Sequence, residues 1–309
     1  MRPNFFIVGA PKSGTTALSE YLKTHPDVCF SHPKEPHFFA TDLPRYRAAD
    51  TLPEYLRLFG NSVPTSAARP TRVGEGSVYY LYSEVALDAI ARFADDPKVI
   101  VLLRNPVELV YSLHAQLLYN RDEDEPDFAK AWSLVQKRKA GQRIPRYCRD
   151  PKILFYDEIG KLGHQLARLE EILPETARKV IFFEDFVRET ASVYREVLDF
   201  LGLDDDGRIR FERVNANRSH AIGWLGTLTE HPPKPLVATA MTLKNWLGFE
   251  QMNVLSTLAA WNRRTAPRNA LPESLQRELV HVYMDDIRAL ERLTGRDLSH
   301  WLDVDTDSP

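Results

Sequence analysis

Phe5-Phe6-Ile7-Val8-Gly9-Ala10-Pro11-Lys12-Ser13-Gly14-Thr15-Thr16-Ala17-Leu18 begins as a short apolar β-type run, turns between two glycines and continues as a helix. From Thr15 onward Ala17, Leu18, Tyr21 and Leu22 repeat on one helical face, which closes near His25-Pro26. A strand, a glycine turn and a helix in that order aim backbone N–H groups and a helix N-terminus at an anion. The turn departs from the Walker A form G-x-x-x-x-G-K-[ST]. Thr15 stands at the lysine position, and the lysine lies inside the loop as Lys12. No apolar strand ends in an aspartate for magnesium. In a nucleoside triphosphatase the lysine and the metal neutralise the terminal phosphates. A donor with less charge, passing on a neutral group such as SO3, could manage without the metal, with Lys12 then placed to protonate or stabilise the leaving phosphate at the bridging oxygen.

Working outward, Lys98-Val99-Ile100-Val101-Leu102-Leu103 is a continuous apolar run of the kind buried on both faces of a parallel sheet. Arg104-Asn105-Pro106 ends it, with Pro106 suited to the first turn of the next helix. Val28-Cys29-Phe30, a segment within Val73–Tyr82 and Lys179–Phe183 read as further strands. Helices are expected over about 83–93, 127–140, 157–173, 187–201 and 272–294, the last closed by Gly295. Asp122-Glu123-Asp124-Glu125-Pro126 reads as a solvated acidic loop tip, and Arg143, Arg146 and Arg149 as a solvated basic face. Strands alternating with helices predict an α/β fold, a P-loop-like central parallel sheet flanked by helices. In 309 residues without internal repeats or low-complexity linkers, a single domain over 1–309 is expected.

Apolar residues make up 43% and charged residues 27%, which excludes disorder and disulfide mini-scaffolds. The net charge of −3 supplies no global basic field for nucleic acid, so any anion site is built locally. Cys29 and Cys148 read as free thiols of a reducing compartment. No uncharged apolar run reaches the roughly 20 residues of a membrane span. Only Met1 to Asn4 precede the first strand, so neither signal peptide nor anchor is expected, and the chain reads as cytoplasmic. There is no HExxH or CxxC; His25, His32 and His37 fall in Pro-punctuated loop, and no metal site is expected.

Pro11-Lys12-Ser13-Gly14-Thr15-Thr16-Ala17-Leu18 resembles the 5′-phosphosulfate loop of sulfotransferases that use 3′-phosphoadenosine 5′-phosphosulfate (PAPS). Arg104-Asn105-Pro106-Val107-Glu108 with Ser112, eight residues after Arg104, resembles the family's 3′-phosphate motif. An arginine offers a charged fork there, and the serine follows two turns into the helix. Lys34-Glu35-Pro36-His37-Phe38-Phe39 and Gly74-Glu75-Gly76-Ser77-Val78-Tyr79-Tyr80 resemble segments of the carbohydrate branch. In that branch the second segment reads E-K-[ST]-P-x-Y and its glutamate is taken as general base; here Gly76 replaces the lysine and Val78 the proline. Ser112 to Asn120, with Gln116, continues the likeness to heparan sulfate 3-O-sulfotransferases. Leu293 to Leu298 with Trp301 is similar to the family's C-terminal helix and tail. The likeness spans roughly 4–220 and 270–302, leaving 225–268 as an acceptor-shaping region. Leu162 stands where tyrosine is frequent, and the late nucleotide loop is represented only by Asn215 to His220, whose Arg218 would join the 3′-phosphate.

The resemblance implies a PAPS-dependent sulfotransferase acting on a hydroxyl or amine of a carbohydrate, glycolipid or small natural product. Pro11, Lys12, Ser13, Gly14, Thr15, Thr16, Arg104, Ser112 and Arg218 would bind the donor. Sulfuryl transfer needs a base for the acceptor proton and a cation at the leaving oxygen. Lys12 is the candidate for the second role and Glu75 for the first, with His37 and His114 the next candidate bases. Lys34, His37 and His114 would face the acceptor, with Phe38-Phe39 and Tyr79-Tyr80-Tyr82 as walls. An ATP-dependent P-loop kinase and a non-catalytic nucleotide-binding module are the alternatives.

Overall fold

A computed structural model describes residues 1–60, 71–212, 218–220, 263–265 and 270–303 of the chain. Its sheet is built on strands whose side chains alternate between two cores. β1 (Phe5–Gly9) sends Phe5 and Ile7 to one face and Phe6 and Val8 to the other. Strand side chains have period two, so a run that is apolar throughout has to be covered on both faces. β2 (Val28–Phe30), β3 (Arg72–Gly76), β4 (Lys98–Leu103) and β5 (Arg178–Phe182) complete a five-stranded sheet. The order is β2-β3-β1-β4-β5 and every pairing is parallel, with Ile7 of the central strand opposite both Gly76 and Ile100.

The first helices are α1 (Thr15–Lys23), α2 (Leu52–Arg57), α3 (Ala86–Phe93) and α4 (Pro106–Asn120). After them come α5 (Phe128–Ser133), α6 (Val135–Lys139), α7 (Tyr156–Ile159) and α8 (Leu162–Ile172). α9 (Phe183–Arg188), α10 (Thr190–Leu201) and α11 (Glu273–Thr294) follow. Leu18 and Leu22 of α1 and Val197 and Leu201 of α10 cover one face of the sheet. Ile90, Val110, Leu166 and Ile287, from α3, α4, α8 and α11, cover the other. None of the described helices is long and apolar enough to cross a membrane.

The expected α/β sheet and its strands are present, whereas several helices are shorter than their periodicity suggests. The stretch 127–140 divides at Leu134, 157–173 divides at Gly160-Lys161, and 187–201 breaks at Glu189, its first two residues belonging to α9. Gly295 ends α11 in the left-handed conformation, as a C′ glycine does. The acidic tip is solvated only in part: Asp124 and Pro126 are exposed, but Asp122 and Glu123 are buried and ion-paired to Arg149 and Arg138. β6 (Arg218–His220) and β7 (Arg263–Thr265) pair antiparallel. The rest of 225–268 lies outside the described residues.

Candidate active site

The loop after β1 is shaped by backbone that side chains would obstruct. Gly9 has φ +149°, and a Cβ there would lie 2.8 Å from the Val78 carbonyl oxygen. Gly14 (φ 90°) is the N-cap of α1 and offers no side chain, so no cap side chain takes up the first amides of that helix. Such a terminus carries unpaired N–H groups and partial positive charge. Lys12, itself at φ 62°, donates from Nζ to Gln116 Oε1 at 3.3 Å.

Arg104 leaves β4 beside this loop. Its Nη1 donates to the Lys12 carbonyl oxygen at 3.0 Å, and its guanidinium lies 4.6 Å from the centroid of the Phe183 ring. Nε and Nη2 both donate to Glu108 Oε2, at 2.9 and 2.7 Å. Asn105 caps α4 by accepting from the Val107 N–H at 2.9 Å. Ser112, Gln116 and Asn120 then follow at helical i, i+4 spacing, all lining one cavity of about 550 Å³. The cavity also takes in Lys12, Thr15, Thr16 and Arg104, so it lies at the carboxyl ends of β1 and β4, where parallel sheets bind ligands.

The opposite wall follows β2 and β3. Lys34 Nζ donates to Glu35 Oε1 at 2.6 Å. Burial pushes the Glu35 carboxyl up, but Lys34, His37 and Arg149 together outweigh it and hold it below the ordinary carboxylate range. His37 is 2% exposed, and burial lowers its pKa to about 4, so its ring is neutral near pH 7. Nδ1 meets the Glu35 carbonyl oxygen at 2.9 Å and therefore carries the proton; Nε2 is left as a buried acceptor with no partner among the described residues. Tyr46, Tyr79 and Arg149 complete this wall. Arg149 is held from behind: Asp122 accepts from its Nε and Nη2, and the guanidinium lies 4.1 Å from the Tyr46 ring centroid.

Pro11, Lys12, Gly14, Thr15, Thr16, Lys34, His37, Arg104 and Ser112 thus meet in one cavity. Others of the expected set do not. Glu75 is fully buried and absent from the lining, where an acceptor hydroxyl does not reach it; Tyr55, Ser77 and Tyr80 donate to its carboxylate. Burial raises its pKa to about 7, against the pull of those three hydroxyls. His114 is also buried off the cavity, its Nε2 meeting the Glu125 carbonyl oxygen at 2.8 Å. The Ser13 hydroxyl turns inward to the Pro11 carbonyl oxygen. Of the aromatic walls only Tyr79 lines the cavity; Phe39 and Tyr80 belong to the core and Phe38 and Tyr82 pack on it. The Arg218 side chain lies outside the described residues. Missing from the sequence-based set are Glu35, Tyr46, Gln116, Asn120, Arg149 and Phe183, which do line it. Glu35 had a signal, since it sits between Lys34 and His37 in the segment already singled out.

Residues 2–221 match the sulfotransferase-domain family model. The chain is 33% identical over 147 residues to mouse carbohydrate sulfotransferase 15, a match covering 36% of this chain and 26% of that protein. It is 29% identical over 205 residues to mouse heparan sulfate glucosamine 3-O-sulfotransferase 3B1, covering 65% of this chain and 46% of the relative. The chain therefore spans less than half the length of these two relatives. The crystal structure of a sulfotransferase from Alicyclobacillus acidocaldarius superposes with a TM-score of 0.70 at 26% identity, covering 98% of this chain and all of that one.

Proposed function

The chain belongs to the sulfotransferase-domain family, and on that premise we propose that it moves a sulfuryl group from PAPS to a hydroxyl of a carbohydrate-like acceptor. The observation that carries the reading is the single cavity in which Lys12, Arg104 and Ser112 face Lys34, Glu35 and His37. The amides at the start of α1 suit the 5′-phosphosulfate. Arg104 and Ser112 suit the 3′-phosphate, and Arg218 heads β6, which runs beside α4. In the transfer the acceptor oxygen bonds to sulfur as the bond from sulfur to the 5′-phosphate oxygen breaks. Lys12 stabilises the charge on that oxygen. Glu35, in place of Glu75, takes the hydroxyl proton; its low pKa keeps it ionised to receive it. His37 Nε2 is an acceptor able to orient the same hydroxyl. The carbohydrate and heparan sulfate relatives support a sugar acceptor.

Isothermal titration with adenosine 3′,5′-bisphosphate, beside ATP with magnesium, tests the donor. The bisphosphate should bind, and Arg104→Ala and Ser112→Ala should weaken it while sparing adenosine 5′-phosphosulfate, which lacks the 3′-phosphate. Binding of ATP alone, dependent on magnesium, would mean a kinase. A panel of sugar acceptors with labelled PAPS tests the transfer, and bisphosphate binding without turnover on any of them would leave a binding module. Glu35→Gln should lower transfer by about 10²–10⁴, the usual worth of a general base, with bisphosphate affinity unchanged.

A further inference from the structure

Three consecutive residues next to Glu35 are held by three hydroxyl-bearing side chains, and all three hydroxyls converge on one carboxylate. The His37 N–H donates to Ser77 Oγ at 2.9 Å, and Ser77 Oγ donates to Glu75 Oε2 at 2.5 Å. The Phe38 ring stacks on Tyr55 with centroids 4.4 Å apart, and the Tyr55 hydroxyl donates to Glu75 Oε1 at 2.7 Å. The Phe39 N–H donates to the Tyr80 hydroxyl at 3.3 Å, and that hydroxyl donates to Glu75 Oε1 at 2.8 Å. The segment requires holding. Glu35 and His37 have φ of 64° and 47°, in the left-handed region that residues with a Cβ rarely adopt.

We infer that Glu75 is a positioning residue that fixes the 35–39 segment, and through it the Glu35 carboxylate and the His37 ring, without touching the reactants. The inference rests on Glu35 being the base. Its chemistry lies in the direction of the hydroxyl protons. Above its pKa of about 7 the Glu75 carboxylate is ionised and only accepts. It draws the protons of Ser77 and Tyr80 inward, so that the oxygens of both turn lone pairs toward the N–H groups of His37 and Phe39. A glutamine of the same shape brings an N–H2 to this junction. A hydroxyl that accepts from that amide must turn its own proton elsewhere, and toward the segment it meets a backbone N–H, donor against donor. β3 carries Glu75 in register with Phe6 of β1, so the anchor stands on the centre of the sheet.

Hydrogen exchange on the intact protein tests this without an acceptor. At pH 8 the amide whose hydroxyl faces the new N–H2, that of His37 through Ser77 or that of Phe39 through Tyr80, should exchange at least about tenfold faster in Glu75→Gln, while those of β1 and β4 stay as in wild type. Should Glu75→Gln fail to fold, Ser77→Ala and Tyr80→Phe replace it, each expected to release its own amide alone. Unchanged exchange at residues 35–39 in folded variants overturns the inference. A kinetic arm uses PAPS with the sugar found to turn over. Glu75→Gln should slow transfer about ten- to a hundredfold with bisphosphate affinity unchanged, but less than twofold once Glu35→Gln is present. Equal losses in both backgrounds overturn the inference. A fully active Glu35→Gln beside an inactive Glu75→Gln would instead overturn the reading of Glu35 as base.

Discussion

Glu108 occupies the edge of Arg104 that a phosphate would take. The two guanidinium nitrogens it receives, Nε and Nη2, are those a bidentate anion uses, and Nη1 is held by the Lys12 carbonyl. Because the Glu108 side chain is 58% exposed, the pair is screened and worth about 0–1 kcal/mol. Glu108→Gln should therefore tighten bisphosphate binding, by about two- to fivefold, and Arg104→Ala should weaken it. Titrating the three proteins side by side decides the matter, and unchanged affinity in Glu108→Gln would mean that the carboxylate does not compete. The same scale shows where reading the sequence fell short. Glu35 and Glu75 both lie in motif segments, and nothing local separates them. Which one faces the cavity is decided by Tyr55, Ser77 and Tyr80 closing around Glu75, a consequence of packing between segments.

α4 was the most legible element, because everything that defines it is local: the buried strand before it, Pro106 in its first turn, Asn105 as cap, and Ser112 two turns on. Its far end was misread for the opposite reason. Asp122 and Glu123 look like a wet acidic tip, yet the arginines that bury them stand 27 and 15 residues further along the chain. Glu123 accepts from Arg138 at 2.6 Å through both oxygens and from the Tyr156 hydroxyl at 2.9 Å, with neither charged side chain exposed. Removing one partner of such a pair strands the other charge without solvent. Arg138→Met should lower stability by about 3–5 kcal/mol, visible in the urea midpoint. A midpoint within error of wild type would mean that Glu123 is solvated after all. α6 is thereby tied to the loop that follows α4.

Across the whole molecule, two buried groups of the acceptor side act on stability with opposite sign. Glu75 has its pKa raised from 4.5 to about 7, so the folded state holds the extra proton and stability falls as pH rises through that window. His37 has its pKa lowered from 6.5 to about 4, so the unfolded state holds the extra proton and stability rises over nearly the same span. Each contribution amounts to about 3 kcal/mol at full extent, and in the wild type they largely offset each other. Melting temperatures between pH 4 and 7, relative to wild type, should climb with pH in Glu75→Gln and decline in His37→Asn; parallel curves would remove both assignments. The parallel sheet itself was legible because buried strands are apolar without interruption. The tail was recognised as a segment, but its docking was not: Arg296 pairs with Asp185 and the Trp301 indole donates to Glu184, contacts across more than a hundred residues. The strand order β2-β3-β1-β4-β5 divides labour along its middle. The segments after β1 and β4 carry Lys12, Arg104 and Ser112, assigned to the donor, whereas those after β2 and β3 carry Lys34, Glu35, His37 and Tyr79 of the opposite wall. One edge of the sheet can therefore be redrawn without disturbing the loop after β1 or the start of α4, and a grafting experiment would cut along the seam between β3 and β1.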